Sequence, residues 1–252
     1  MRFSANISTL CRDIPSLTER FVHIVTRKDF SFQSVECQNP YSVPLTEWQS
    51  LNAQHPTVTW SLINSPPLFE ACPDGHIPSH EEYDKLVLRK VVDYATGLRC
   101  KKVHLVLCDD AAGRSEDQIV ELISFASRSL QPSGTLCVLE ALSTRPEYWL
   151  RSYEQAERIV SKLGDKNVKL MLDTYHLQML HGNMTCNIRR LAPLTGYAQI
   201  SQAPLRNSPD AAGELDYKYV LKQLAESYDG LVGLEYFSNS DESFAWLNQY
   251  AS

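Results

Sequence analysis

Short apolar, β-branched runs alternate along the chain with amphipathic stretches of helical period. The runs Arg2–Ile7, Phe32–Cys37, Thr57–Ile63, Lys102–Leu107, Thr135–Leu139, Val168–Leu172, Tyr197–Ile200 and Leu231–Leu234 each predict a strand. Between the third and the fourth, Leu88, Val91, Val92, Ala95 and Leu98 line one face of a predicted helix over 82–98. Segments 117–130 and 153–163 show the same period. Eight strands in 252 residues leave about 31 residues per unit, enough for one strand and one crossover helix. The run Val103-His104-Leu105-Val106-Leu107 is apolar on both faces save for its histidine, as suits a parallel sheet covered by helices. Eight such units close naturally into a barrel. An open doubly wound sheet competes, but no G-x-G-x-x-G follows the first run and no G-x-x-x-x-G-K-[ST] occurs. The expected fold is α/β, a single (β/α)8 TIM barrel over residues 1–252, with no Pro-, Gly- or Ser-rich linker to divide it and a long loop over 64–80.

Composition then narrows the function. Lys plus Arg number 24 against 30 Asp plus Glu, a formal charge of −6 without any basic run, so nucleic acid is not an expected partner. Seven cysteines, odd in number and scattered, contain no C-x-x-C pair; they form neither a disulfide framework nor a zinc knuckle and suggest a reducing compartment. The first residues lack the basic and apolar regions of a secretory leader, and no apolar run approaches a membrane span. The expectation is a soluble cytoplasmic protein that acts on a small molecule, without membrane contact and compatible with a homo-oligomer.

In a barrel the chemistry sits where the strands end. The fifth run leads into Glu140, the sixth into Asp173 and the eighth into Glu235, while the seventh contains Gln199. Three carboxylates and one amide oxygen thus converge at one side of the mouth, where like charges repel and need neutralising. Hard oxygen donors favour Mg²⁺ or Mn²⁺ over zinc. Singly, each acid reads first as a helix cap or a partner for a mouth arginine; four on consecutive strands point to a metal site. His176, three residues after Asp173, is placed to polarise a ligand oxygen. Arg206, after the seventh run, is suited to hold a substrate carboxylate, against the alternative of pairing with Asp210 or Glu214. Asn6, Glu36 and Asn64 close the first three strands, as pocket residues or as loop braces. His104 reads as a satisfied core histidine, Asp109-Asp110 as a cap for the next helix, and Cys108 and Cys137 as inert packing groups.

At these residues the sequence resembles the hydroxypyruvate isomerase family of the xylose-isomerase-like, metal-dependent barrels. The matching segments are Phe3 to Ser8, Phe32 to Glu36 and Leu62-Ile63-Asn64, and above all Leu170 to Gln178, Gly182 to Arg189, Gln199 to Pro204 with Arg206, Pro209 to Tyr217 and Gly230 to Tyr236. The resemblance implies metal ligands at Glu140, Asp173, Gln199 and Glu235, catalytic glutamates at Glu140 and Glu235, and interconversion of hydroxypyruvate with 2-hydroxy-3-oxopropanoate. The substrate-facing first half departs from the family pattern. Ala141-Leu142-Ser143 follows Glu140 in place of Pro-Ile/Leu-Asn, loop 65–80 lacks the family's arginine, and Cys108-Asp109-Asp110 replaces an Ala-Gly pair.

Moving a carbonyl to the neighbouring carbon requires a base for a weakly acidic proton and stabilisation of the enediolate that follows, which two carboxylates and a divalent metal supply. On this reading Glu140 and Glu235 exchange the proton, Asp173 and Gln199 hold metal, and His176, Arg206 and Asn64 contact substrate. Two alternatives are a sugar or keto-acid isomerase or epimerase with another substrate, and a catalytically weak relative kept for binding or regulation. An apurinic-site endonuclease shares the superfamily fold, but needs a histidine-rich zinc cluster and a basic DNA face.

Overall fold

A computed structural model describes residues 1–68, 76–109 and 115–251. Eight strands, β1 (Arg2–Asn6), β2 (Ser34–Cys37), β3 (Thr59–Asn64), β4 (Lys102–His104), β5 (Leu136–Leu139), β6 (Val168–Asp173), β7 (Thr195–Ile200) and β8 (Leu231–Leu234), pair in chain order. All pairings are parallel, and β8 closes the barrel on β1 with Ala5 opposite Leu234. The predicted strands are all present, within a few residues of their expected limits.

Helices fill the crossovers: α1 (Leu17–Val25), α2 (Leu45–Gln54), α3 (His80–Tyr83), α4 (Arg89–Gly97), α5 (Glu116–Leu130), α6 (Tyr153–Leu163), α7 (Thr174–Leu180), α8 (Met184–Leu191) and α9 (Tyr217–Ala225). The expected helix over 82–98 is two α-segments joined by a π-helical turn, Asp84–Leu88, a feature its apolar spacing does not register. Side chains fix the helix starts. Ser115 and Gln118 form a capping box before α5, and Ser152 Oγ accepts from the Gln155 N–H before α6. Gly164, at φ +59°, stops α6 in the left-handed region that glycine enters without strain.

The main core lies between strands and helices, where the apolar faces of α4 and α5 meet the sheet. A second, small cluster of Leu62, Val138, Met171 and Tyr197 forms separately. Two local expectations change. The fourth strand is shorter than its apolar run: the Leu105 N–H still reaches Val138 O (3.1 Å), but the next two N–H groups turn to side chains, Val106 to Ser65 Oγ (2.9 Å) and Leu107 to Tyr148 Oη (2.9 Å). Asp109 is no cap: Arg145 grips both its oxygens (2.7 and 2.8 Å) and Ser115 caps α5 in its place. Asp110, Cys72 and residues 69–75 of the loop after β3 lie outside the described residues, while Cys108 and Cys137 are buried.

Candidate active site

Strand register brings the polar residues together. Asp173 of β6 stands opposite Gln199 of β7, which stands opposite Gly233 of β8. Glu140 and Glu235 directly follow β5 and β8, and all four side-chain-bearing candidates are buried. Each carboxylate has a different environment. Glu235 is fully engaged: Oε1 accepts from Gln38 Nε2 (2.6 Å) and Asn6 Nδ2 (3.3 Å), and Oε2 from Arg206 (2.5 Å). Asp173 Oδ1 accepts the N–H groups of Tyr175 (2.6 Å) and His176 (3.2 Å), capping α7, while Oδ2 lies 3.5 Å from Arg206. Glu140 has no such donor. Its Oε1 is without a protein partner among the described residues, and Oε2 comes only within 3.8 Å of His104 Nδ1, beyond hydrogen-bond reach.

Arg206 therefore lies inside the carboxylate cluster and not with Asp210 or Glu214. It holds a left-handed backbone, φ +56°, where an L residue is strained and where its N–H bonds Gln202 O (2.8 Å). Even with this guanidinium present the electrostatics are unbalanced. Burial, then the charges of Glu235 and Asp173, push Glu140 well above the usual carboxylate range. Burial also raises Asp173, with Arg206 opposing it in part.

Beneath the mouth acids runs a polar network centred on Glu36, one of the strand-end residues expected to line the pocket or brace a loop. Glu36 is fully buried; Oε1 accepts from Gln199 Nε2 (2.7 Å) and Asn6 Nδ2 (2.9 Å), and Oε2 from the Tyr197 hydroxyl. Tyr197 meets Ser61 Oγ (3.0 Å), which meets Ser4 Oγ (2.6 Å). A Cβ at position 233 would overlap the Glu36 carboxylate, so the glycine of β8 makes the room. Glu36 thereby fixes the Gln199 amide: with Nε2 committed, Oε1 is left buried and without a partner among the described residues. Burial, then the charge on Glu235, raise Glu36 to about 8.

The two histidines are equally informative. Ser143 N–H donates to His176 Nδ1 (2.9 Å), so a neutral ring carries its proton on Nε2, which is buried and has no partner among the described residues. Burial, then Arg206, lower His176 to about 3, keeping it neutral. His104 is not a satisfied core histidine: neither ring nitrogen has a hydrogen-bond partner among the described residues. Burial, then His176, lower it to about 3. Both rings line a cavity of about 390 Å³ with Glu140, Glu235, Arg206, Asn64 and Gln38.

Residues 29–250 match the family described as "Xylose isomerase-like TIM barrel". A Mus musculus protein named "Putative hydroxypyruvate isomerase" is 34% identical over 99% of this chain and 95% of its own length. The chain belongs to this hydroxypyruvate isomerase family of xylose isomerase-like barrels. The "Hydroxypyruvate isomerase" of Escherichia coli (strain K12) is 29% identical, covering 99% of both chains. Among solved structures, one described as "AP endonuclease, family 2 from Brucella melitensis" is 29% identical, with a TM-score of 0.87 over 100% of this chain and 99% of that one. The relatives named as isomerases are of the aldose–ketose kind, and this member of the family is an enzyme of that kind.

The family's barrels often bind metal, and the donor set here fits a hard cation. Single donor atoms of Glu140, Asp173 and His176 lie within 4.8 Å of one another. With its Nδ1 lone pair committed to Ser143, His176 turns an N–H and not a lone pair to the cavity, so the unpartnered Gln199 Oε1 is the better donor. Glu235 adjoins these three: its charge weighs on Glu140 ahead of that of Asp173, and Arg206 touches both Glu235 and Asp173.

Proposed function

We propose that this isomerase interconverts hydroxypyruvate and 2-hydroxy-3-oxopropanoate with a divalent cation, Mg²⁺ or Mn²⁺, held by Glu140, Asp173, Gln199 and Glu235. One observation carries the reading: Glu140 is a buried carboxylate facing the cavity with no hydrogen-bond donor among the described residues, beside a buried amide oxygen equally unpartnered among them. Buried acceptors without donors are costly, and a cation relieves both at once. When bound, such an ion supplies electrophilic stabilisation to charge developing on two adjacent substrate oxygens.

The chain's own residues account for the proton transfer. One carboxylate removes the proton from the hydroxymethyl carbon, giving an enediolate, and a proton returns to the former carbonyl carbon while the hydroxyl proton moves between the two oxygens. Glu140, free of competing donors, and Glu235, oriented by Gln38, Asn6 and Arg206, form this acid–base pair. His176 Nε2–H polarises a substrate oxygen, and Arg206 and Asn64 orient the acid end. The absence of any helix long and apolar enough to cross a membrane, among the described residues, agrees with a cytoplasmic enzyme, which we propose as one barrel domain over 1–252.

A second reading, a longer hydroxy-keto acid, draws on the cavity of about 390 Å³, roomy for three carbons, and on a Cupriavidus necator relative named "2-oxo-tetronate isomerase", 27% identical. A proton NMR time course in heavy water with Mg²⁺ tests the proposal. Hydroxypyruvate is expected to exchange at its hydroxymethylene carbon and to stop doing so on EDTA addition. Absence of exchange with either metal overturns the proposal, and faster turnover of a four-carbon acid selects the second reading.

A further inference from the structure

His104 ends β4, opposite Asn64 of β3 and Val138 of β5, and Glu140 follows two residues after Val138. The ring is 2% exposed, yet it lines the cavity and neither nitrogen has a hydrogen-bond partner among the described residues. An imidazole carries at least one N–H in either protonation state, so a donor is buried here without an acceptor. A position needed only for packing would be filled at lower cost by leucine or phenylalanine, since an unpaired buried donor opposes folding. Glu140 cannot serve as the acceptor at 3.8 Å. A second unpartnered donor, His176 Nε2, lines the same cavity. Two lone donors beside a donor-free carboxylate call for a ligand rich in oxygen acceptors.

We infer that His104 is a substrate-contacting residue of this isomerase, whose N–H hydrogen-bonds an oxygen of the bound hydroxy-keto acid beside Glu140. The inference rests on the reading of the cavity given above. At so buried a position such a donor acts more strongly than it would in water on charge that develops as the proton leaves. Strands of β-sheet hold it more rigidly than a loop would, which keeps its alignment through the reaction.

The test pairs His104→Phe, which fills the space without a donor, with His104→Gln, which restores one. Hydroxypyruvate turnover with Mn²⁺, Mn²⁺ affinity by calorimetry and the Tm of ligand-free protein are measured for each. The phenylalanine variant is expected to lose on the order of 10²-fold in kcat/KM, to bind Mn²⁺ as the parent does, and to melt at or above the parent temperature. The glutamine variant is expected to recover part of the lost rate. Full activity in the phenylalanine variant overturns the inference alone, because the parent still turns over. So does a lower Tm that accounts for the lost rate, which makes the histidine structural, or lost Mn²⁺ affinity, which makes it a ligand. Imidazole ¹⁵N shifts during a hydroxypyruvate titration separate the two levels. Shifts at His176 but not at His104 remove His104 from the substrate; no shift at either, with an inactive parent, overturns the cavity reading and this inference together.

Discussion

Replacing Glu36 by glutamine probes the network beneath the site without changing its shape. Glu36 is fully buried, and its carboxyl holds a proton up to about pH 8 against an ordinary value of 4.5. Between those values the native protein retains a proton that the unfolded chain has released. Its stabilising effect is therefore complete below pH 4.5 and is lost as pH rises through 8, the reverse of a salt-bridged acid. Each pH unit is worth about 1.36 kcal/mol, so the span from 4.5 to about 8 costs on the order of 5 kcal/mol in metal-free protein. An amide cannot ionise, so urea unfolding of Glu36→Gln at pH 5 and pH 8 should show a flatter profile than the parent, with the two closest at pH 5. At about 2–4 °C per kcal/mol for a chain near this size, the difference at pH 8 reaches about 10 °C or more in Tm. The same substitution puts an NH₂ group among three donors, Asn6, Gln199 and Tyr197, and loosens the hold on the Gln199 amide. Mn²⁺ affinity should fall about 10–100-fold, the range for partners that orient a metal ligand. Parallel pH profiles for parent and variant, with equal Mn²⁺ affinity, would refute both the burial argument and the orienting role.

Glu140→Gln and Glu235→Gln should each lower hydroxypyruvate turnover by about 10²–10⁴-fold, with circular dichroism unchanged; an active double variant would remove them as the proton-transfer pair. Arg206→Met leaves Asp173 and Glu235 without their buried cation and should cost about 3–5 kcal/mol in metal-free protein. Mn²⁺ should restore more stability to that variant than to the parent in thermal unfolding, and an equal increment in both would show that the guanidinium and the ion do not share a role. Stripping metal with EDTA should lower Tm relative to protein at 100 times the Mn²⁺ Kd by the equivalent of about 2.7 kcal/mol; an unchanged Tm would argue against a bound ion.

The barrel was legible because each strand is a local apolar run and each break falls where a crossover must begin. Glu140, Asp173, Gln199 and Glu235 stood out for the same reason, as polar residues at strand ends. What escaped depends on pairings between distant positions. Nothing in Val35-Glu36-Cys37 announces that Glu36 will meet Gln199 and Tyr197, 163 and 161 residues away, or that Gly233 will clear space for it. His104 looked satisfied because strand context promises neighbours, whereas hydrogen-bond partners depend on which groups those neighbours present. Arg206 was legible as a mouth cation, but its place between two carboxylates comes from a left-handed backbone turn that spacing does not reveal. Asp109 resembled a cap by position and found a stronger bidentate partner in Arg145.

The interior network also bears on how the barrel assembles. Ser4, Asn6, Glu36 and Ser61 come from its first three strands, while Tyr197, Gln199 and Gly233 come from its last two. Two of the three donors to Glu36 therefore arrive only when the late strands dock, as does the glycine surface that accommodates the carboxylate. A half-barrel built from β1 to β4 would bury an acid with one donor or leave the sheet open to water around it. Ring closure is thus coupled to the satisfaction of a single side chain. Cutting the gene between β4 and β5 should yield fragments that gain structure only on mixing.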